Sequence, residues 1–425
     1  MTEMGSQVRQ LGEIAQFING GAWSQSEYSN CGIPVVQVSN IRGYQIDLTD
    51  CKYLPKSSLE KYARHLIRQD DLIIATVGSH PSQPNSVVGR PAIARSNAVN
   101  ALLNQNAVIV RSTCDDVDQK WLGWLGRDKP FRDYIIGCAR GAANQVRMAI
   151  GLLKQMPINI PPLRTQRRIA EILGAYDDLI EINRRRIAVM EEMAQGLFQE
   201  LIRDSQRNPS GEMPLSEFVV KTLGGDWGTE EPDGDHTIEV RVVRGTDFSR
   251  LQSGDFDSCP TRFITPASAN KRLLKPYDVI LENSINAKTR SAGSTLIAIP
   301  GMIEALGGSV IAASFCRVFQ FARPEDAVLF HMWCRHLHAS GEIARYQVVA
   351  ANGIANFQTT QFVRDCVLPF KPTSYEKQRE FLVSLIALTY AQQIANLAAA
   401  RDLLLPRLIS GQLSVTDAER ELEAA

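Results

Sequence analysis

Residues 160–173 read Ile160-Pro161-Pro162-Leu163-Arg164-Thr165-Gln166-Arg167-Arg168-Ile169-Ala170-Glu171-Ile172-Leu173. Two prolines end whatever precedes them, and the run beyond them has helical periodicity. Ile169, Leu173, Tyr176, Ile180, Asn183, Ile187, Met190, Ala194, Leu197 and Leu201 follow one another at alternating steps of four and three. That is a heptad seam, and it predicts a left-handed coiled coil over residues 163–203. A helix of about 40 residues is roughly 60 Å long. Asn183 sits mid-seam, where a buried amide fixes register, and Asn396 or Gln392 is its expected partner on a second helix.

The same grammar returns near the end of the chain. Leu368-Pro369-Phe370-Lys371-Pro372 is followed by Glu376-Lys377-Gln378-Arg379-Glu380-Phe381 and an apolar stripe through Leu385, Leu397 and Leu404. The pair Gln166-Arg167 aligns with Gln378-Arg379, about half a chain length away. Thr373 and Glu376 form a capping box for this second helix, and Pro406 is expected to bend or end it. A repeat at half-length means two similar halves on one chain.

Five segments follow: a globular domain over 1–160, a long helix over 161–208, a second globular domain over 209–372, a second long helix over 373–412, and an acidic, frayed tail over 413–425. The domains match in outline. Val35–Val38 corresponds to Val240–Val243, and Asp70–Ile74 to Tyr277–Leu281; each is a short β-like run between turn residues. The fold class is α+β: two globular α/β domains joined by two long antiparallel helices, an intramolecular coiled coil with a pseudo-two-fold repeat. Antiparallel packing buries both seams at once, which is what stabilises such helices in water.

Composition limits the function classes. The 425 residues carry no formal net charge, 44% are hydrophobic and 22% charged. An ordinary globular composition with no basic tail excludes indiscriminate nucleic-acid binding. Eight cysteines without Cys-x-x-Cys spacing read as thiols of a cytoplasmic protein. No apolar run is long enough to span a membrane.

Catalytic chemistry finds no support. The chain lacks Gly-x-x-x-x-Gly-Lys-[Ser/Thr], so no P-loop is expected. Asn159-Ile160-Pro161-Pro162 only approximates an adenine-methylation motif and reads as the helix entry. Asp278 and Glu282 are spaced as in a metal nuclease, but the lysine that such a site needs is missing. His331, Cys334 and His338 share a helical face, yet Phe330, Met332 and Trp333 around them read as a packed helix. No metal is expected.

The order of globular domain, Pro-Pro-Leu-x-x-Gln-Arg-Arg-Ile, long helix, second domain, Gln-Arg and second helix resembles the DNA-specificity subunit of Type I restriction-modification systems. Leu11-Gly12-Glu13-Ile14, Asp71-Leu72-Ile73 and Asn104-Gln105-Asn106-Ala107-Val108-Ile109 also resemble that family. Thr165 and Lys377 stand where many members have Glu. The resemblance implies a non-catalytic subunit. Each globular domain is then a target recognition domain for one half of a bipartite, asymmetric site on double-stranded DNA. The helices set the spacing and dock two methyltransferase subunits, and motor-nuclease subunits join them. Cofactors are expected on those partners only: S-adenosylmethionine, ATP and Mg. The competing reading is a coiled-coil scaffold that binds only proteins.

Base readout uses Arg, Lys, Asn, Gln or Ser on loops that reach a groove. In the first domain the candidates are Asn40, Arg42, Ser79, His80, Asn85, Arg90, Asn104, Gln105, Arg140, Asn144, Gln145 and Arg147. In the second they are Arg244, Asn283, Asn286, Lys288, Arg290, Asn352, Asn356 and Gln358. Arg184-Arg185-Arg186 reads as a solvated helix face.

Overall fold

A computed structural model describes residues 7–78, 88–142, 145–207, 211–217, 219–252, 254–286, 292–369, 371, 376–388 and 392–423. The chain forms two compact units, residues 1–177 with 399–425, and residues 178–398. Each unit holds one globular domain together with a part of each long helical segment.

In the first unit Leu72–Ala75, an Asp71-Leu72-Ile73 run buried on both faces, is an inner strand of a four-stranded antiparallel sheet. The order is Ala15–Asn19, Ala107–Ser112, Leu72–Ala75, Pro91–Ile93. A second sheet has the order Leu102–Leu103, Ile33–Val36, Lys52–Leu54, parallel then antiparallel. A third has the order Ala139–Ala142, Gln145–Met148, Val77–Gly78. Gln7–Gln10 pairs with Pro157–Ile160 and clasps the two ends of the domain together.

The second unit repeats this plan sheet for sheet. Its large sheet runs Val219–Gly224, Cys316–Phe321, Asp278–Glu282, Thr295–Ala298. Its second sheet runs Val310–Ala312, Ile238–Val243, Thr261–Ile264, again parallel then antiparallel. The third runs Gln347–Val349, Ile354–Phe357, Ser284–Asn286, and the clasp is Met213–Pro214 with Val367–Leu368. The correspondence reaches single hydrogen bonds. The Asp71 carboxylate accepts from Arg68 N as Asp278 accepts from Lys275 N. Asp70 and Tyr277, at the matching positions, both have φ near +65 to +68°. Asn104 N donates to Val36 O as Ala313 N donates to Val243 O.

The first long helix spans Leu163–Arg207, 45 residues, longer than the seam alone indicates. All ten seam positions are buried or half-buried. In the second unit Ile187 and Leu397 pack on Ile180. Asn183 does not act as expected within what is described: its amide donates to Leu179 O, one turn back on its own helix. The Asn396 and Gln392 side chains lie outside the described residues, as do Thr373 and its capping box.

The second helical segment is described as Glu376–Leu388 and Gln392–Ile409. Pro406 neither ends it nor prevents its last turn, because only the bond from its own missing N–H is lost and Ser410 N still reaches Pro406 O. The tail is not frayed. Ser414 accepts from Asp417 N and caps a helix over Val415–Glu423. Ala418 of that helix is fully buried, and Glu419 pairs with Arg168 in the first unit.

The Gln-Arg pairs are out of step by one residue. In the first unit Gln166 is fully buried and Arg167 exposed. The Gln166 amide accepts from Asp118 N at 2.8 Å and donates to Asp116 O and Pro161 O at 2.8 and 2.7 Å. It thereby ties the long helix to the start of the domain helix Gln119–Leu125, whose cap is Asp118. In the second unit Gln378 is exposed and Arg379 is buried, pairing with Asp326 in the first turn of Pro324–Ala339. The same junction is thus closed by an amide in one half and an ion pair in the other.

Gln166→Ala leaves three partly buried backbone groups without their partner, and the expected loss is about 1–3 kcal/mol. Arg379→Ala strands a partly buried carboxylate and is expected to cost about 3–5 kcal/mol. Arg167→Ala and Gln378→Ala should stay within about 0.5 kcal/mol. Denaturant unfolding of the four variants checks this; equal losses at both members of either pair would refute the assignment.

Candidate nucleic-acid interface

The third sheet of each domain gathers several of the polar positions picked out from sequence. In the first domain Arg140 pairs with Arg147 across the ladder, Ala142 with Gln145, and Val77 with Arg147 from the other side. In the second, Val348 and Ser284 flank Asn356, and Asn286 pairs with Ile354. Directly opposed residues share a face, and neighbours along a strand alternate. Val146, Ala355 and Phe357 are buried, so they belong to the inward face. Arg147 is exposed and Asn356 half-exposed on the outward one. The ladders superpose position for position: Thr76 O accepts from Met148 N as Asn283 O accepts from Phe357 N. Arg147 therefore corresponds to Asn356, Arg140 to Val348, Gln145 to Ile354 and Asn106 to Phe315.

Other candidates scatter. Arg42 is exposed but pairs with Asp47 at 2.9 Å, and Gln105 is exposed on the turn before Ala107–Ser112. Asn104 is half-buried and accepts from Asn106 N. Arg90 donates to Ile41 O. Asn40 is a correction: only 3% exposed, it accepts from Gln37 N and donates to Asp47 O, so it builds a turn and cannot reach a groove. Its counterpart Asp247 does the same for Arg244 N. Arg244 itself clasps Asp247 at 2.8 Å and donates to Ser258 O, again a structural role. Asn283 accepts from Thr359 Oγ1, Asn352 from Ile354 N and Asn356 from Ser284 Oγ, while Gln358 donates to Asn356 O. Ser79, His80, Asn85, Asn144, Lys288 and Arg290 lie outside the described residues, and so do the side chains of Arg140, Gln145 and Asn286.

A cleft lies beside the large sheet in each domain, at matching places. In the first it encloses about 490 Å³ and is lined by Tyr44, Gly89, Arg90, Lys129 and Arg132. In the second it encloses about 670 Å³ between Ser249, Gly293, Ser294, Arg335 and His338. Gly89 and Gly293 have φ of +76° and +96°, and a Cβ there would lie 2.4 Å from Ile135 and 2.7 Å from Ile343. Both positions require glycine. The cations of the first cleft are engaged within the domain: Lys129 pairs with Asp133, Arg132 donates to the Tyr44 hydroxyl and Arg90 to Ile41 O.

A buried ion cluster escaped the sequence reading. In the first unit Asp177 receives Arg95 at 2.9 Å, Arg127 at 3.1 Å and Arg401 at 2.6 Å. Burial alone would raise its carboxyl, but Arg127 and Arg401 hold it below the usual carboxylate range. Arg127 also stacks over Trp124 at 4.5 Å. The only trace in sequence is an acid next to seam residue Tyr176.

The residues weighed for metal or nuclease chemistry are structural. His331 Nδ1 meets Thr295 Oγ1 at 2.9 Å while His338 Nε2 meets Ser294 Oγ. Asp278 and Glu282 are both buried in a strand, and Asp278 is held by Gln320 and Lys275 N. Among the described residues no cluster of His, Cys, Asp and Glu is placed to hold a metal.

Fold and faces define a class: tandem α+β domains with one scaffold and two different outward surfaces, carried on long helices. A family model for the Type I restriction modification DNA specificity domain matches residues 134–192, from the third sheet into the long helix. Over 227 residues the chain is 24% identical to the putative type I restriction enzyme MjaX specificity subunit of Methanocaldococcus jannaschii, covering about half of each chain, 52%. It is 21% identical to the MjaIX specificity subunit of the same organism, over 96% of this chain and 93% of that one. The Type I restriction-modification S subunit from M. genitalium has the same fold, with a TM-score of 0.60, 12% identity, and coverage of 96% and 97%. The chain is thus similar in sequence and in fold to specificity subunits of Type I restriction-modification systems.

Burial pushes the His331 imidazole down to about 3 from an ordinary 6.5. The neutral ring therefore contributes its full stability above about pH 6.5, and that contribution is lost as pH falls from there toward 3. The slope reaches at most about 1.4 kcal/mol per pH unit. Denaturant titrations between pH 7 and 5, read by the second unit's Trp227 and Trp333, should show this loss. His331→Leu should flatten it; an unchanged slope would contradict the assignment.

Proposed function

We propose that this chain is the sequence-reading subunit of a Type I restriction-modification complex. Each globular domain reads one half of a bipartite, asymmetric site on double-stranded DNA. One observation carries the reading. The two domains share their strand orders and the register of the third sheet, yet at equivalent outward positions one has Arg140, Gln145 and Arg147 and the other Val348, Ile354 and Asn356. Identical scaffolds with different faces suit two different short sequences. Arginine pairs bidentately with guanine, and asparagine with adenine.

The long helices serve as spacer and partner dock. Beside the inner seam, Leu179, Ile182, Val189 and Met193 are each about half exposed at positions that fall on one other face of the helix. A second apolar row on a surface helix supports docking of protein partners, which we take to be two methyltransferase subunits. Motor-nuclease subunits complete the assembly in the cytoplasm. S-adenosylmethionine, ATP and Mg then belong to those partners, and this chain contributes recognition and geometry.

The test is methylation mapping. DNA exposed to the methyltransferase assembled on this chain should carry a bipartite, asymmetric, adenine-methylated motif. A continuous palindrome would overturn the reading. Arg140→Ala with Gln145→Ala and Arg147→Ala should relax one half of that motif only, with specific binding weakened by about 1–3 kcal/mol for each base pair that is no longer read.

A further inference from the structure

The third sheet of the second domain is unusual for a surface facing a polyanion. Val348 is 57% exposed, Ile354 40% and, on the adjoining turn, Phe315 62%. Phe315 O accepts from both Asn283 N and Ser284 N, which fixes that turn against the first residues of the strand Ser284–Asn286. Val348 and Ile354 share the outward face with Ser284 and Asn356, so apolar and hydrogen-bonding groups alternate across a single rung or two. The matching positions in the first domain are Arg140, Gln145 and Asn106.

Val349, the next residue on the strand, is 53% exposed on the other face of the ladder, and on the outward face Ser284 and Asn356 interrupt the apolar positions. A mixed apolar and amide face matches a DNA major groove, where thymine presents a methyl group and adenine an amide-reading edge.

Building on the specificity-subunit reading, the geometry points to thymine methyl recognition: the second domain reads its half-site through Val348, Ile354 and Phe315 on thymine C5-methyl groups, with Asn356 beside them for adenine. The first domain reads its half-site by arginine and amide hydrogen bonding instead. The two halves of the target therefore differ in how they respond to removal of a methyl group.

Deoxyuridine replaces thymidine one position at a time in duplexes carrying the mapped site, and binding of the assembled complex is measured by competition. The half read by the first domain is known from the arginine variants above. In the other half at least one replacement should weaken binding about fourfold, the effect of one buried methyl, and replacements in the first half should leave it unchanged. Val348→Ala with Ile354→Ala should abolish the difference between thymidine and deoxyuridine while the complex still assembles. Equal binding of both duplex types, with specific binding intact, overturns the inference and leaves the specificity-subunit reading standing. Variants that lose methyltransferase assembly yet still discriminate the methyl group would also overturn it. Absence of any sequence-specific binding overturns both.

Discussion

One buried side chain at the mouth of each long helical segment holds the rest in place. A helix entering a domain after a proline stop has free backbone groups on both sides of the junction, and partial burial makes each of them costly to leave unpaired. Gln166 satisfies three of these at once in the first unit. In the second unit Arg379 reaches the start of the corresponding domain helix through Asp326. Neither interaction adds much favourable energy by itself. Each ties the first turn of its long helical segment to a helix of the adjoining domain.

The domains show what a repeated scaffold constrains. Ladder hydrogen bonds, inward side chains and positive-φ turns must agree, or the sheets do not form. Asp71 and Asp278, Gly89 and Gly293, and Asp70 and Tyr277 hold their places for this reason. Outward side chains on the third sheet carry no such constraint, because the pleat sends them away from the core. Arg147 and Asn356 sit on superposable backbone and differ in charge. Conservation of frame and divergence of face are two consequences of one strand geometry.

The frame was legible in sequence because it depends on periodicity. The ten-residue seam, the half-length repeat and the short apolar strands all have a spacing that a single sequence displays. The places where sequence reading failed are those decided by a neighbour distant in the chain. Gln378 and Arg379 look aligned with Gln166 and Arg167, yet burial falls one residue later in the second copy because its partner is a carboxylate rather than a backbone turn. Asn40 looks like a loop amide until Gln37 and Asp47 claim both of its ends. Pro406 looks like a stop, but a proline in the last turn gives up a single hydrogen bond. The acidic tail looked unstructured because Ser414 and Ala418 act through one cap and one buried methyl group, too little pattern to register. The Asp177 cluster draws its arginines from residues 95, 127 and 401, and no local window contains them.

Having both domains on one chain has a consequence that a symmetric dimer cannot reach. In a dimer of identical subunits the two reading faces are copies, so the recognised sequence must be its own complement. Duplication within a chain frees each copy to drift wherever the ladder allows it. The drift here is largest where the pleat imposes least: arginine becomes valine, and glutamine becomes isoleucine, at positions whose backbone partners are unchanged.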